Sequence, residues 1–410
     1  MITTFKMAWR NIWRNKRRTY ITATSILLAV LLSAFMVSIQ RGAWDKMIDN
    51  VVNFYYGYVQ IHNKGYWEDQ NINKAFTIKD DLIETSKKIP AIHSLVPRLE
   101  SFALAAHQNF SRGVLVVGTD PDKENEMTHL KERLIKGTYF DADEQAIIIA
   151  EGIANKMKIT IGDTLVLISQ GYHGVNAAGK YPIKAIVKFG SPELNKQMVY
   201  LPLKTAQYFF GAENLVTSVA LNIKNRNRVQ SVVDKLKTSL DTSTYEVMEW
   251  QELMPELVQA REVDTAGNYI TLFVLYVIIA FGIFGTILMM TKEREYEFGV
   301  LIAIGMNRLK LFITVWMEII FLGLLGALLG ILVSFPLIYY FNINPLDFTE
   351  MSAEMSAAYE KFGFEPVFPT ALDWRIFKNQ ALLVFAITSI LAIYPLAKIM
   401  KINPVKAMRQ

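Results

Sequence analysis

Cysteine is absent from all 410 residues, so the chain has no disulfide framework, no thiolate metal site and no cysteine nucleophile. Charge is scarce too: 20% of residues are Asp, Glu, Lys or Arg, against 52% hydrophobic. A soluble chain of this length rarely carries so much apolar content beyond what its cores can bury, which argues against a pair of soluble domains. Only five histidines occur, His62, His93, His107, His129 and His173, scattered with no HExxH or paired spacing, and no metal is expected. No GxSxG elbow is present. These absences leave catalysis by this chain, and any cofactor for it, without support. Gly174 to Lys180 fits the phosphate-cradling pattern GxxxxGK, but Tyr181 follows where Ser or Thr must hold Mg²⁺. The flexible tip of a strand–loop–strand hairpin, 165–187, is the expected reading of that segment. The sequon Asn109-Phe110-Ser111 is a common chance match and carries no weight.

Long apolar runs are abundant. Crossing a hydrocarbon layer of about 30 Å takes about 20 helical residues. Four runs suffice: 19–39, 268–291, 311–341 with Glu318 as its one charge, and 379–397. Their flanks set an orientation. Residues 1–18 carry a net +6, the loop 292–310 a net +1 and the tail 398–410 a net +4, whereas the loops 40–267 and 342–378 together carry −5. The positive-inside rule then puts both termini and the middle loop in the cytoplasm and the two long loops outside. The basic clusters lie at the membrane face, so no nucleic-acid partner is implied. The first run is longer than a signal-peptide core and lacks a small-residue cleavage site after it, so an uncleaved anchor is expected. Before it, Phe5, Trp9, Ile12 and Trp13 share a helical face opposite several basic residues, the pattern of an interfacial helix on an anionic leaflet.

The loop 40–267 is large enough for an α/β domain. Alternating runs at 147–150, 164–168, 183–187 and 199–201 predict strands. Segments 151–158, 204–210 and 228–240 predict helices. From 250 to 267 the pattern is amphipathic and helical, a stiff rod running straight into the second span.

Several residues inside the spans stand out. Glu318 is an intramembrane acid whose burial costs a few kcal/mol, and so a functional candidate; pairing with Arg308 or Lys310, or access to water, is the structural alternative. Gly282 and Gly285 in the second span, and Gly323, Gly326 and Gly330 in the third, permit close helix packing, within the chain or in a dimer. Pro336 offers a place to bend or end the third span. In the middle loop, Lys292-Glu-Arg-Glu-Tyr-Glu-Phe-Gly-Val-Leu-Ile-Ala-Ile-Gly-Met-Asn307, a charged run is followed by small apolar residues between Gly299 and Gly305. That apolar face needs either a partner or the membrane surface to cover it.

The loop, with Glu297, Gly299, Ala303 and Gly305 in an E-x-G-x-x-x-A-x-G pattern, resembles the signature of FtsX/MacB-type ABC transporter permeases. The opening Trp9-Arg-Asn-Ile-Trp-Arg-Asn-Lys-Arg-Arg18 and the closing stretch from Pro395 to Asn403-Pro404-Val405-Lys406-Ala407-Met408-Arg409 are similar to that family's ends. The resemblance extends to the layout and so covers the whole chain. It implies a membrane α-helical fold, four transmembrane helices in a 1+3 arrangement with a large α/β extracytoplasmic domain, set in the inner membrane among its lipids. It also implies a transport permease without enzymatic activity of its own. Its partners would be a cytoplasmic ABC ATPase dimer and a second permease copy or paralogue. ATPase coupling would fall to Glu293, Arg294, Glu297, Gly299, Ala303 and Gly305. MacB carries an ATPase fused to its amino end; none is found here, so a separate ATPase subunit is expected. Gly57-Tyr-Val-Gln-Ile-His62 and Val117-Gly-Thr-Asp-Pro121 resemble segments of the lipoprotein-releasing LolC/LolE-type permeases. In that subgroup the hairpin tip 170–180, with Tyr172, Val175 and Lys180, falls where a periplasmic lipoprotein chaperone is held. A MacB-like exporter of peptides, toxins or antibiotics and an FtsX-like regulator of a cell-wall hydrolase are the alternatives.

Overall fold

The computed structural model describes residues 2–14, 16–223, 225–348 and 367–407. Asn15, Met408 and Arg409 of the terminal motifs, and 349–366 of the second long loop, lie outside the described residues. The chain divides into a helical unit, Met1–Lys46 with Arg261–Asp347 and Val367–Gln410, and an α/β unit, Met47–Ala260 with Phe348–Pro366.

Helix α1 (Ile2–Arg14) is amphipathic and buries Ala8 and Ile12. The rings of Phe5 and Trp9 meet Phe321 edge-on at 4.8 and 6.0 Å between centroids. No proline or glycine stands between Lys16 and Arg41, and α2 (Lys16–Val51) is one 36-residue helix. It continues past the apolar run through Arg41, Asp45, Lys46 and Asp49, then widens into a π turn, Val52–Tyr56. Gly57, at φ +70°, ends it in a backbone conformation that residues with a Cβ rarely adopt.

The α/β unit is built on ten strands: β1 (Val59–Asn63), β2 (Ile92–His107), β3 (Phe110–Thr119), β4 (Leu134–Gly137), β5 (Ile147–Ala150), β6 (Thr164–Gln170), β7 (Asn176–Val187), β8 (Met198–Pro202), β9 (Ser218–Ile223) and β10 (Tyr245–Glu249). The long strand β2 is the branch point of a single ten-stranded sheet. Its first half pairs with β9, and the order continues through β1 to β10. Its second half pairs with both β3 and β6. From there β3 pairs with β8, β8 with β5, β5 with β7, and β7 with β6, so six strands close a ring. Closure removes free edges. Ala103, Ala105, Val114, Val116, Ile147, Leu165, Leu167 and Val199 belong to its buried apolar cluster. Helix α3 (Pro121–Thr128) follows β3, capped by Asp120, which accepts from the amides of Asp122 and Lys123. Helices α4 (Glu151–Met157), α5 (Pro192–Gln197) and α6 (Leu203–Phe210) follow strands around the ring, and α7 (Val229–Ser239) packs in the cluster beneath β1 and β9.

The expected rod from 250 is interrupted. Trp250–Leu253 is a separate turn closed by a Glu249/Glu252 capping box, and Met254 breaks it at φ −132°, ψ 63°. Pro255 then opens α8 (Pro255–Glu293), a position where a missing amide hydrogen costs nothing. Beyond it come α9 (Glu295–Ala303), α10 (Arg308–Ile343), α11 (Trp374–Leu391), α12 (Tyr394–Lys401) and the short α13 (Pro404–Ala407). Pro336 lies inside α10, which neither ends nor breaks there. Among the described residues, four helical segments are long and apolar enough to cross a membrane: Thr19–Tyr56, Pro255–Glu293, Arg308–Ile343 and Trp374–Lys401.

Within the helical unit, Gly326 and Gly330 face α2 closely. A Cβ on Gly326 would stand 2.7 Å from the Cβ of Ile26, and one on Gly330 2.7 Å from that of Val30. Gly323 faces Thr388 and Phe385 of α11. These glycines therefore serve contacts inside one chain, a helix–helix interface whose partner the sequence left open. Gly282 and Gly285 do not: among the described residues no atom outside their own helix comes within 4 Å of a Cβ placed on either.

Candidate functional site

Helix α9 lies in the loop singled out from the sequence, and charged groups tie it to its neighbours. Arg294 is the single residue between α8 and α9. Its Nη1 donates to Glu318 Oε2 on α10 at 2.6 Å, and its Nε to Glu297 Oε2 at 3.1 Å. Its guanidinium stands 5.3 Å from the ring centroid of Phe298. Arg14 of α1 donates from Nη2 to both oxygens of Glu297 at 2.6 Å. Partial burial pushes the Glu297 carboxyl up, but hydrogen bonds and charge from Arg14 and Arg294 outweigh it and hold the group below the usual carboxylate range. Lys398 of α12 sits 3.4 Å from Glu295.

Glu318 is therefore fully buried but paired with Arg294, and not with Arg308 or Lys310 as the spacing suggested. A partner 24 residues away was invisible to local helix periodicity. Arg308 instead caps α12, donating to the carbonyls of Met400 and Ile402. Cations suit helix carboxyl ends, where carbonyls lack partners.

The six expected coupling residues divide by environment. Glu293, Ala303 and Gly305 are exposed, Glu297 is half-buried, and Arg294 and Gly299 are buried. Gly299 seats the C-terminal segment: its Cβ would fall 2.8 Å from that of Ala407 and 3.5 Å from the Pro404 carbonyl. Gly305, at φ +97°, closes α9 in a Schellman arrangement, with Gly305 N–H donating to Ile302 and Met306 N–H to Leu301. Exposed Tyr296, Ala303 and Ile304 are the apolar side chains that α9 and its cap leave open, Ile304 at 76%.

The hairpin of β6 and β7 is longer and its tip shorter than the sequence suggested. Pairing runs out to Gln170–Asn176, leaving 171–175 as the tip and no room for a phosphate loop between 174 and 180. The tip is seated on its own domain. A Cβ at Gly171 would meet the Phe210 carbonyl at 2.3 Å, Val175 packs on Gly211, and the His173 amide donates to Asn73. Tyr172 packs against the ring's core, while Lys180 stands exposed on β7 opposite Val166. The three residues expected to form a partner-binding tip thus share no single surface feature of the tip itself.

Sequence reasoning missed a buried charge cluster where the π turn meets β2. Arg98 Nε and Nη2 donate to the two oxygens of Glu124 at 2.9 and 2.6 Å, and Nη1 to the Tyr55 carbonyl at 2.6 Å. Tyr55 covers the guanidinium at 4.6 Å and donates from its hydroxyl to Glu100 at 2.7 Å. Burial pushes the Glu100 carboxyl above its ordinary value despite the opposing charge of Arg98 and that hydrogen bond. A basic residue at an inward strand position, followed by an acid in the first turn of the next helix but one strand, was the only available signal.

Among the described residues no group of three or more His, Cys, Asp or Glu is placed to hold a metal ion.

Two family models match the chain: a MacB-like periplasmic core domain over residues 19–239 and an FtsX-like permease C-terminal domain over residues 269–404. The lipoprotein-releasing system transmembrane protein LolC of Neisseria meningitidis is 20% identical over 409 residues, covering 97% of this chain and 95% of the relative. The macrolide export ATP-binding/permease protein MacB of Burkholderia pseudomallei is 20% identical over 360 residues, 83% of this chain and 52% of the relative. The chain thus spans about half the length of the MacB relatives it matches. The crystal structure of the periplasmic region of MacB from Actinobacillus actinomycetemcomitans matches 52% of this chain and 98% of its own at 15% identity, with a TM-score of 0.36. With the first model spanning more than half of the chain and the second most of the remainder, the protein belongs to the FtsX/MacB-type ABC transporter permeases.

Proposed function

We propose that this permease converts ATP hydrolysis by a separate cytoplasmic ATPase into movement of its extracytoplasmic domain, and that its cargo is lipoprotein leaving the inner membrane. The observation that carries the cargo reading is the match to LolC along nearly the full length of both chains. The alternative, export of small molecules or peptides, has the MacB relatives behind it.

In this reading both termini and α9 face the cytoplasm, in keeping with the net charges of +6, +1 and +4 on 1–18, 292–310 and 398–410. The ATPase dimer docks on the exposed side of α9, where Tyr296, Ala303 and Ile304 offer apolar contact. A second permease copy or paralogue completes the complex, and Gly282 and Gly285, open within this chain, suit a contact with it. Helix α8 runs unbroken for 39 residues from Pro255 to Glu293, about 58 Å at 1.5 Å per residue. A rod of that length carries displacement across the bilayer.

The test is affinity capture of the tagged, detergent-solubilised chain with identification of everything that co-purifies. An ATPase with bound lipoproteins supports the proposal. An adaptor and an outer-membrane channel would move the assignment to export, and a cell-wall hydrolase to regulation. Capture of no ATPase would overturn the docking role of α9.

A further inference from the structure

The joint between α8 and α9 is one residue, Arg294, at φ −101°, ψ 8°. A single non-helical residue between two helices is a natural swivel. If it turned freely, a push on α9 would be absorbed by bending there and would not reach the spans.

Its side chain removes that freedom. Arg294 is 8% exposed at the side chain and Glu318 not at all. Stability alone does not call for this arrangement, because well-packed apolar residues of similar volume replace a buried ion pair at little or no cost. What the pair supplies is geometry. A guanidinium fork engages two carboxylates in fixed directions, as a lysine ammonium does not. Here the fork joins Glu318 on α10 to Glu297 on α9, and Glu297 in turn holds Arg14 on α1.

We propose that Glu318 is a positioning residue that locks this joint, so that α9 moves with α10 and α1 as one body and its displacement reaches the membrane helices. The inference rests on the reading of α9 as the ATPase-facing helix. The docking surface is the exposed side of α9, and Glu318 acts from the opposite, buried side.

The chain's lack of cysteine permits a direct test. Nitroxide labels at Tyr296→Cys on α9 and Leu328→Cys on α10, both exposed, report the distance distribution between the two helices without any ATPase present. The parent should give one narrow distribution and Glu318→Gln a broadened one. In the complex captured with its own ATPase, a single label at Tyr269→Cys on α8 reports the response to nucleotide trapped with vanadate. That response should fall about fivefold or more in Glu318→Gln, with ATPase capture unchanged. The double variant Arg294→Met/Glu318→Gln removes both charges of this pair, so that neither is left buried without the other. It should stay uncoupled if the lock matters.

An unchanged label distribution in Glu318→Gln overturns the proposal. Restoration of the nucleotide response in the double variant also overturns it, by reducing the pair to a stability role. Loss of ATPase capture in Glu318→Gln overturns it as well, by placing Glu318 in docking. If the parent itself captures no ATPase, the docking reading fails, while the label pair still decides whether Glu318 holds the joint.

Discussion

Arg98 is among the largest fully buried side chains of the described residues, and Glu124 takes two of its donors. Replacing it with Ala leaves Glu124 in the protein interior without its bidentate partner, at a cost of about 3–5 kcal/mol. Faster hydrogen exchange at β2 and β3 amides in the intact chain would register that loss; unaltered exchange would show that the cluster contributes little. Glu100 beside it gives a pH signature. Its carboxyl is raised in the folded state, so the native protein binds this proton more tightly than the unfolded chain does. The stability it contributes is therefore full below the ordinary carboxylate range and is lost as pH rises through the folded value. Glu100→Gln should raise the melting midpoint at pH 7, and the gap from the parent should close toward pH 4. A gap of the same size at both pH values would contradict the assignment. Neither residue was legible in the sequence, because alternation along β2 marks which positions face inward but not which distant acid awaits them.

Helices were the most legible elements, and their partners the least. The apolar runs located the four spans, yet α2 continues well beyond its run through charged residues that still suit a helix. The small-residue motif at Gly326 and Gly330 was visible, but that it receives Ile26 and Val30 of the same chain was not. Gly326→Val should overpack this crossing and cost about 1–3 kcal/mol. Gly282→Ala, with open space around it, should change monomer stability by less than about 0.5 kcal/mol. Thermal melts of the two purified variants separate these outcomes; equal melts would mean that α2 and α10 cross elsewhere. The Met254–Pro255 break is a related case. Pro255 suits a helix start, but the amphipathic pattern on both sides of it reads as one continuous helix and conceals the interruption.

At the scale of the whole molecule, the prediction concerns orientation. A single cysteine in place of Tyr208, 79% exposed in the α/β unit, should react with a membrane-impermeant maleimide in intact cells stripped of their outer envelope. One in place of Ile304, 76% exposed on the α9 side, should react only after the membrane is opened. The reverse labelling would invert the topology and with it the coupling scheme.

The sequence by itself determined the spans, the charge asymmetry and the family signature, because hydrophobic length, net charge and local spacing are properties of short stretches of chain. It also placed four of the ten strands and three of the helices of the α/β unit, where alternation with a period of two gives way to helical spacing. The tertiary structure alone decided that six strands close into a ring, since β2 must pair with β3 and β6 at once and pairing leaves no mark on either strand. It alone brought Arg14 to Glu297 across 283 residues, and Ala407 against Gly299. Such contacts depend on where the chain returns in space, and no local pattern of residues encodes that return.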